Sequence, residues 1–353
     1  MLTLSEGITA MTAKREPSEP DSRGEARPTL KTIAFMTGLG VTTVSRALKD
    51  APDIGRSTKE RVRLVADQIG YRPNRAGVRL RTGKTNVISL VLSVETEVLG
   101  LTPHVVQGLS GFLAATPYHL VVTPYRLGDD PMTPVRYICE TGSADGIVMS
   151  RTEPQDPRVR YLLERRIPFA THGRTEIGAP HPYFDFDNGR FAEIAVARLA
   201  ARGRRRLALI GPDPRYTYAR HMTRGFLAGV EGHGLDEAPV HDLTSDSGPE
   251  AIEAEVARLM ASRHAPDGIL CASASAALSA VAGAEAAGRV IGRDFDLATK
   301  DSFDVMRKFR REIVAIHEDF RAAGAALARA VLGAIAGEPV ETLQTLVVPD
   351  EGS

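Results

Sequence analysis

From Lys84 onward, short runs of β-branched and apolar residues recur along the chain, and the stretches between them carry helical periodicity. The runs are VISLVLSV (87–94), HLVVTPY (119–125), GIVMS (146–150), FATHG (169–173), RLALIGP (206–212) and GILCAS (268–273). Helix-like stretches between them include 188–202, 219–232 and 249–263. Strands this short and apolar suit a sheet covered on both faces, and their alternation with helices is the pattern of a parallel α/β fold. Roughly 270 residues follow Lys84, which predicts two doubly wound parallel-sheet lobes with a cleft between them rather than one sheet. Ligands of open parallel sheets bind outside the carboxyl ends of the strands, so the loops after these runs are the place to seek a ligand site.

The segment ahead of Lys84 is of another kind. The chain as a whole has 44 Lys/Arg and 44 Asp/Glu, but residues 29–84 hold twelve Lys/Arg against four Asp/Glu, whereas 85–353 hold 28 against 35. A basic module ahead of an acidic remainder is the footprint of something that neutralises phosphates at one end. An Arg-rich solvated helix would give the same count. Residues 1–28 mix Pro, Ser, Glu, Arg and Gly and read as a disordered arm with no assigned function. Leu30 to Leu48 has helical apolar spacing broken by Gly38 and Gly40, which predicts two short helices and a tight turn. Ser57 with Glu60 three residues on reads as a capping box for a third helix, with Val62, Val65, Ala66 and Ile69 on its apolar stripe.

No run reaches the roughly 18 apolar residues of a membrane span, and no signal peptide is read at the N-terminus, so a cytoplasmic protein is expected. Cys139 and Cys271 stand far apart without metal-like spacing, so neither a disulfide framework, a zinc site nor any cofactor is expected. No phosphate loop, H-E-x-x-H or G-x-S-x-G motif is found, and no catalytic constellation is expected. The nearest approach is the Asp185/Asp187 pair, for which crossover roles suit better than acid–base chemistry.

Val41-Thr42-Thr43-Val44-Ser45-Arg46-Ala47-Leu48 has the composition of a recognition helix. Val44 and Leu48 can pack inward, while Thr42, Thr43, Ser45 and Arg46 supply hydroxyls and a bidentate donor suited to guanine. A small helical bundle capped by Thr and Ser would show the same local pattern. Together, Leu30-Lys31-Thr32-Ile33-Ala34, Thr43 to Leu48, Ile69 to Asn74, and Leu80 to Lys84 resemble, in order and spacing, the headpiece of the lactose-repressor (LacI/GalR) family. The resemblance implies a helix-turn-helix DNA-binding headpiece over 29–72, a hinge over 73–84 and an effector-binding, dimerising core over 85–350.

Position by position, the resemblance implies operator base reading by Val41 and Thr42, with Arg46 as the recognition-helix arginine. Lys31, Thr43, Ser45, Lys49, Asn74, Arg75 and Arg79 join them as DNA contacts, and Leu80 is the hinge leucine wedged into the minor groove. Such a wedge costs a few kcal/mol of unstacking, on the order of what a bent and more fully contacted duplex returns. Gly40 stands where the family usually has a capping Ser, a tolerable exchange, and Gly77 weakens a hinge helix.

The core resembles the family's periplasmic-binding-protein-like body, with an N-lobe over about 85–187 and 317–343, and a C-lobe over about 188–316 plus the C-terminal strand, joined by three crossings. The landmarks are Phe184 to Asn188, Gly203 to Gly211, Gly225-Phe226 and Glu318-Asp319-Phe320. Candidate effector contacts are His172, Arg174, Asp187, Arg220, Ser273 and Asp301, the last matching the family's hydroxyl-binding aspartate. The pattern departs at Met222, where the family has an arginine, and at Ser273-Ala274-Ser275, where many members have Asn-Asp. With no Trp and 5% aromatics, sugar stacking would fall to Tyr216, Tyr218 or Phe226. The resemblance implies a homodimeric repressor on palindromic double-stranded DNA, answering to a small polar metabolite, most simply a sugar. A solute-binding protein with the same core is the alternative, and inducer and co-repressor are equally compatible with the sequence.

Overall fold

The computed structural model describes residues 28–71, 83–94, 101–302 and 306–350. Contacts divide the chain into two compact units between Gly83 and Lys84.

In the first unit, α1 (Leu30–Thr37), α2 (Val41–Leu48) and α3 (Arg56–Gln68) enclose a core of Ile33, Ala34, Val44, Ala47, Val62 and Ala66. Thr29 opens α1 with a reciprocal cap, its hydroxyl accepting from the Thr32 N–H at 3.3 Å. Gly38 ends the helix at φ 67°, a left-handed conformation that glycine adopts without strain. Gly40 is the N-cap of α2, as expected, and offers no side-chain cap. The expected capping box at Ser57 is corrected: α3 starts at Arg56 behind Gly55. The Glu60 carboxylate is occupied instead by Arg56 Nε, one turn earlier, at 2.9 Å.

The second unit holds eleven strands among the described residues, in two parallel sheets. Lobe 1 contains β1 (Val87–Val94), β2 (His119–Arg126), β3 (Gly146–Met149), β4 (Phe169–His172), β5 (Tyr183–Phe186) and β11 (Gln344–Val347), ordered β11-β5-β4-β3-β1-β2. Lobe 2 contains β6 (Arg206–Ile210), β7 (Asp236–Glu237), β8 (Gly268–Cys271), β9 (Asp296–Asp301) and β10 (Val314–His317), ordered β10-β9-β8-β6-β7. Strands β3 and β8 are buried at every residue, which is why their sequences read as unbroken apolar runs.

Helices cover both faces of each sheet. In lobe 1, α4 (Leu101–Leu113) and α12 (Phe320–Ala336) close one core through Leu109, Leu327 and Val331. On the other face, α5 (Met132–Thr141) and α6 (Pro157–Glu164) bury Val135, Ile138, Val159 and Leu162. In lobe 2, α7 (Asn188–Ala201) and α8 (Thr217–Gly232) bury Phe191, Leu199 and Phe226, while α9 (Pro249–Met260) and α10 (Ala274–Ala286) bury Ile252, Val256 and Met260. Each of these fully buried side chains stabilises the fold by roughly 1.5–3 kcal/mol. The one-turn α11 (Met306–Phe309) links β9 to β10.

The chain enters lobe 2 after β5 and returns after β10; a third crossing does not occur among the described residues. The expected place of the C-terminal strand is also corrected, since β11 pairs in parallel with β5, Gln344 beside Tyr183 and Val347 beside Phe186. The physical reason lies in α12. That helix packs on the lobe 1 sheet, and only seven residues, from its C-cap Gly337 through a single 3-10 turn (Val340–Leu343), separate it from β11.

Candidate functional site

On the headpiece, α2 turns Val44 and Ala47 inward, and this rotation alone decides which side chains face solvent. Val41 is 41% exposed. Thr42, Arg46 and Lys49 are exposed with it, as is Lys31 on α1, whereas Thr43 and Ser45 are half-buried. An exposed apolar Val beside hydroxyls and a guanidinium is suited to a major-groove surface carrying thymine methyls and acceptor edges. Arg46 Nη2 meets Asp53 Oδ1 at 2.6 Å. Asn74, Arg75, Arg79 and Leu80, expected at the hinge, lie outside the described residues.

Within the second unit, a cleft of about 730 Å³ opens where the carboxyl ends of the two sheets face each other, the position that parallel topology reserves for ligands. Ser150 and Arg151 follow β3, His172 ends β4, Asp185 and Phe186 end β5, Lys300 lies on β9, and Glu318 and Phe320 follow β10. Tyr218, Asp246, Glu250 and Ser273 come from loops and helix starts of lobe 2.

The cations on this wall are already matched. Arg151 makes a two-point ion pair with Asp246, at 3.1 and 3.0 Å, that joins lobe 1 to lobe 2. Its backbone is left-handed, φ 56°, and is held there by Arg158, whose Nη2 donates to the Ser150 and Arg151 carbonyls at 3.1 and 2.9 Å. Arg158 is itself buried against Asp156 at 2.7 Å. The Tyr216 ring lies under the Arg151 guanidinium at 5.3 Å. Lys300 Nζ reaches Glu318 at 3.0 Å and Asn188 at 2.6 Å. Burial pushes the Asp185 carboxyl up to about 6, against the pull of Arg174 at 2.6 Å. Burial likewise holds the His172 imidazole below its ordinary value; its ring stacks on Phe184, and the buried Nε2 has no hydrogen-bond partner within the protein.

Of the six expected effector contacts, His172 and Ser273 line the cleft. The other four do not. Asp187 caps α7 through the Arg190 N–H at 3.0 Å, and so Asp185 and Asp187 form no pair. Asp301 is buried and accepts the Met306 N–H at 3.0 Å. Arg220 is exposed with its Nε toward the Pro214 carbonyl at 3.4 Å. Arg174 stands behind the wall, spanning Asp185 and, at 3.5 Å, His221. Ser273 both lines the cleft and caps α10 through Ala276. Of the candidate aromatics, Tyr218 is on the wall, but Phe226 is 1% exposed inside lobe 2 and Tyr216 is buried beneath Arg151.

Residues 29–74 match the family described as bacterial regulatory proteins, lacI family, and residues 196–351 match a periplasmic binding protein-like domain. Over 320 residues the chain is 32% identical to the helix-turn-helix-type transcriptional regulator AglR of Rhizobium meliloti, covering 87% of each chain. The chain belongs to the lacI family of bacterial regulatory proteins. As a fold, this regulator resembles the lac repressor dimer bound to operator and the anti-inducer ONPF, with a TM-score of 0.79 at 18% identity over 92% of this chain and 97% of the other. It resembles the transcriptional regulator CelR–cellobiose complex with a TM-score of 0.63 at 24% identity, over 92% and 98%. The regulator is thus a DNA-binding transcription factor with a two-lobed, periplasmic-binding-protein-like core.

The wall residues that sequence reasoning passed over are Arg151, Asp246, Glu250 and Lys300. Arg151 was within reach of the strand-end rule, since it follows the run 146–150 directly. Asp246 had no such signal: its loop is set by backbone contacts, among them the Ser245 N–H to the Gly211 carbonyl at 2.7 Å.

Proposed function

We propose that the regulator is a homodimeric repressor whose hold on a palindromic operator is set by a neutral sugar or sugar derivative in the cleft. The observation that carries the reading is the pairing of the cleft's cations. Arg151 and Lys300 each face a carboxylate, and Glu250 adds a further acid to the wall. An acidic effector would have to displace an ion pair, whereas hydroxyls can share the existing donors and acceptors. Phe320 and Tyr218, both half-buried on the wall, offer apolar faces for a pyranose ring. The CelR–cellobiose complex, a structural relative, is named for a neutral disaccharide, which supports the same class here. For the second copy, lobe 1 presents Phe112, Val121 and Val122, the valines on the edge strand β2.

A regulator of this kind switches only if the effector binds the two lobe arrangements unequally. The test is a thermal-shift and calorimetric screen of neutral mono- and disaccharides beside sugar acids, followed by operator titration with and without the binder. A neutral sugar should bind and change operator affinity at least about fivefold, as a coupling of about 1 kcal/mol requires. Binding confined to sugar acids would overturn the neutral-effector reading. In the same titrations, Arg46→Ala should weaken binding to the operator far more than to random duplex; equal losses would remove Arg46 from base reading.

A further inference from the structure

The contact between Arg46 and Asp53 is an ion pair between two side chains that are about half exposed, at 54% and 45%. Exposed pairs of this kind contribute little to stability, so holding the headpiece together does not account for it. That task falls to the core of Ile33, Val44 and Val62, and to Asp50, whose carboxylate takes Lys59 and Arg63 of α3 at 3.1 and 2.9 Å.

Asp53 is fixed where it stands. It follows Pro52, whose ring sets the backbone φ, and precedes Ile54, which packs against the headpiece core. The turn is tied back to α2 by the Asp50 N–H to Ala47 and the Ala51 N–H to Arg46, both at 3.1 Å, and is closed by the Ile54 N–H to Ala51 at 3.1 Å. The carboxylate is therefore presented to Arg46 from a rigid support. It engages one corner of the guanidinium, Nη2, and leaves the rest of the donor fork for a base edge.

We propose that Asp53 is a positioning residue for sequence reading, one that aims Arg46 at a guanine edge and keeps it from settling on a neighbouring phosphate. The inference rests on the reading of Arg46 as the base-reading arginine. Its physical basis is competition. An unrestrained arginine on a basic surface finds phosphate oxygens at every step of the duplex, and such contacts carry no sequence information. A carboxylate within reach penalises the approach of a phosphate by like-charge repulsion, whereas guanine O6 and N7 are neutral acceptors and escape that penalty. A plain counterion would also lower the net positive charge, but it would weaken specific and random binding alike.

The experiment is selection from a randomised duplex pool at near-physiological salt, with the full-length regulator as wild type, Asp53→Asn, Asp53→Glu, Arg46→Ala and the double variant Arg46→Ala/Asp53→Asn. Each protein is also titrated on one fixed random duplex across salt. Arg46→Ala should flatten one guanine position of the recovered half-site; a bidentate contact discriminates there by about 1–3 kcal/mol, roughly five- to 140-fold. Asp53→Asn should weaken the preference at that same position by about threefold or more while tightening random binding. Asp53→Glu should retain the preference, and Asp53→Asn should add no loss of preference in the Arg46→Ala background. Asp53→Asn that tightens random binding but leaves the guanine position as in wild type would overturn the proposal and leave Asp53 a counterion. Arg46→Ala that keeps every guanine position would overturn it differently, by removing the base-reading role on which it rests.

Discussion

Asp185 lies on the cleft floor between two opposing influences, burial and the Arg174 guanidinium 2.6 Å away. Burial prevails and raises its carboxyl from 3.8 to about 6, so the folded core binds a proton more readily than the unfolded chain. Its contribution is then fully present below about pH 4 and is lost as pH rises towards 6, a change on the order of 2–3 kcal/mol. Urea unfolding of wild type and Asp185→Asn across pH 4–7 should show wild type losing stability relative to the variant as pH rises; parallel curves would show that Asp185 titrates normally. The contrast with Asp187 and Asp301 shows why the sequence does not separate acids on the cleft from acids that cap. Carboxylates ahead of helices are capping signals as much as ligand signals, and both spend an oxygen on a backbone N–H. Which of several nearby acids stays on the wall is decided by a turn of the backbone that composition does not encode.

At the level of elements, α4 and α12 meet through two glycines. A Cβ on Gly108 would strike the Arg321 carbonyl, and one on Gly324 would strike the Val105 carbonyl. Gly324→Ala should therefore push the helices apart and cost about 1–3 kcal/mol, read as a lower midpoint in urea at unchanged slope; a neutral effect would mean the pair is looser than described. The legible elements were those with continuous apolar runs: β1, β2, β3, β4, β6 and β8. Strands β5, β9 and β10 were not picked out as strands from the sequence. The reason is that Asp185, Lys300, Asp301 and His317 interrupt them, and polar side chains in a core strand are what a ligand site demands of the fold. The recognition helix was legible because Val44 and Leu48 keep helical spacing; Val44 is buried as expected, whereas Ala47 is buried and Leu48 only partly so.

For the whole molecule, the Arg151–Asp246 pair is a two-point polar link across the cleft, with side chains only 12% and 16% exposed. Thr217 adds a second link through its N–H to the Thr152 carbonyl at 2.9 Å. Asp246→Ala leaves the largely buried Arg151 charge without this carboxylate and should cost the present lobe arrangement about 1.5–3 kcal/mol. Small-angle scattering should record a more open core, and the exchanged pair Arg151→Asp/Asp246→Arg should recover part of the closure. An unchanged scattering profile in Asp246→Ala would show that other contacts hold the lobes.

The placement of α12 and β11 in lobe 1 also governs how a newly made chain assembles. Lobe 2 is one continuous segment, from α7 to β10, and holds all its strands as soon as it has emerged from the ribosome. Lobe 1 is begun first and finished last: its sheet lacks the edge strand β11, and its core lacks Leu327 and Val331, until the final helix and strand return. During synthesis the half-made lobe 1 must wait with apolar surface uncovered while lobe 2 folds. Truncation near the C-terminus therefore strikes the lobe that is encoded first.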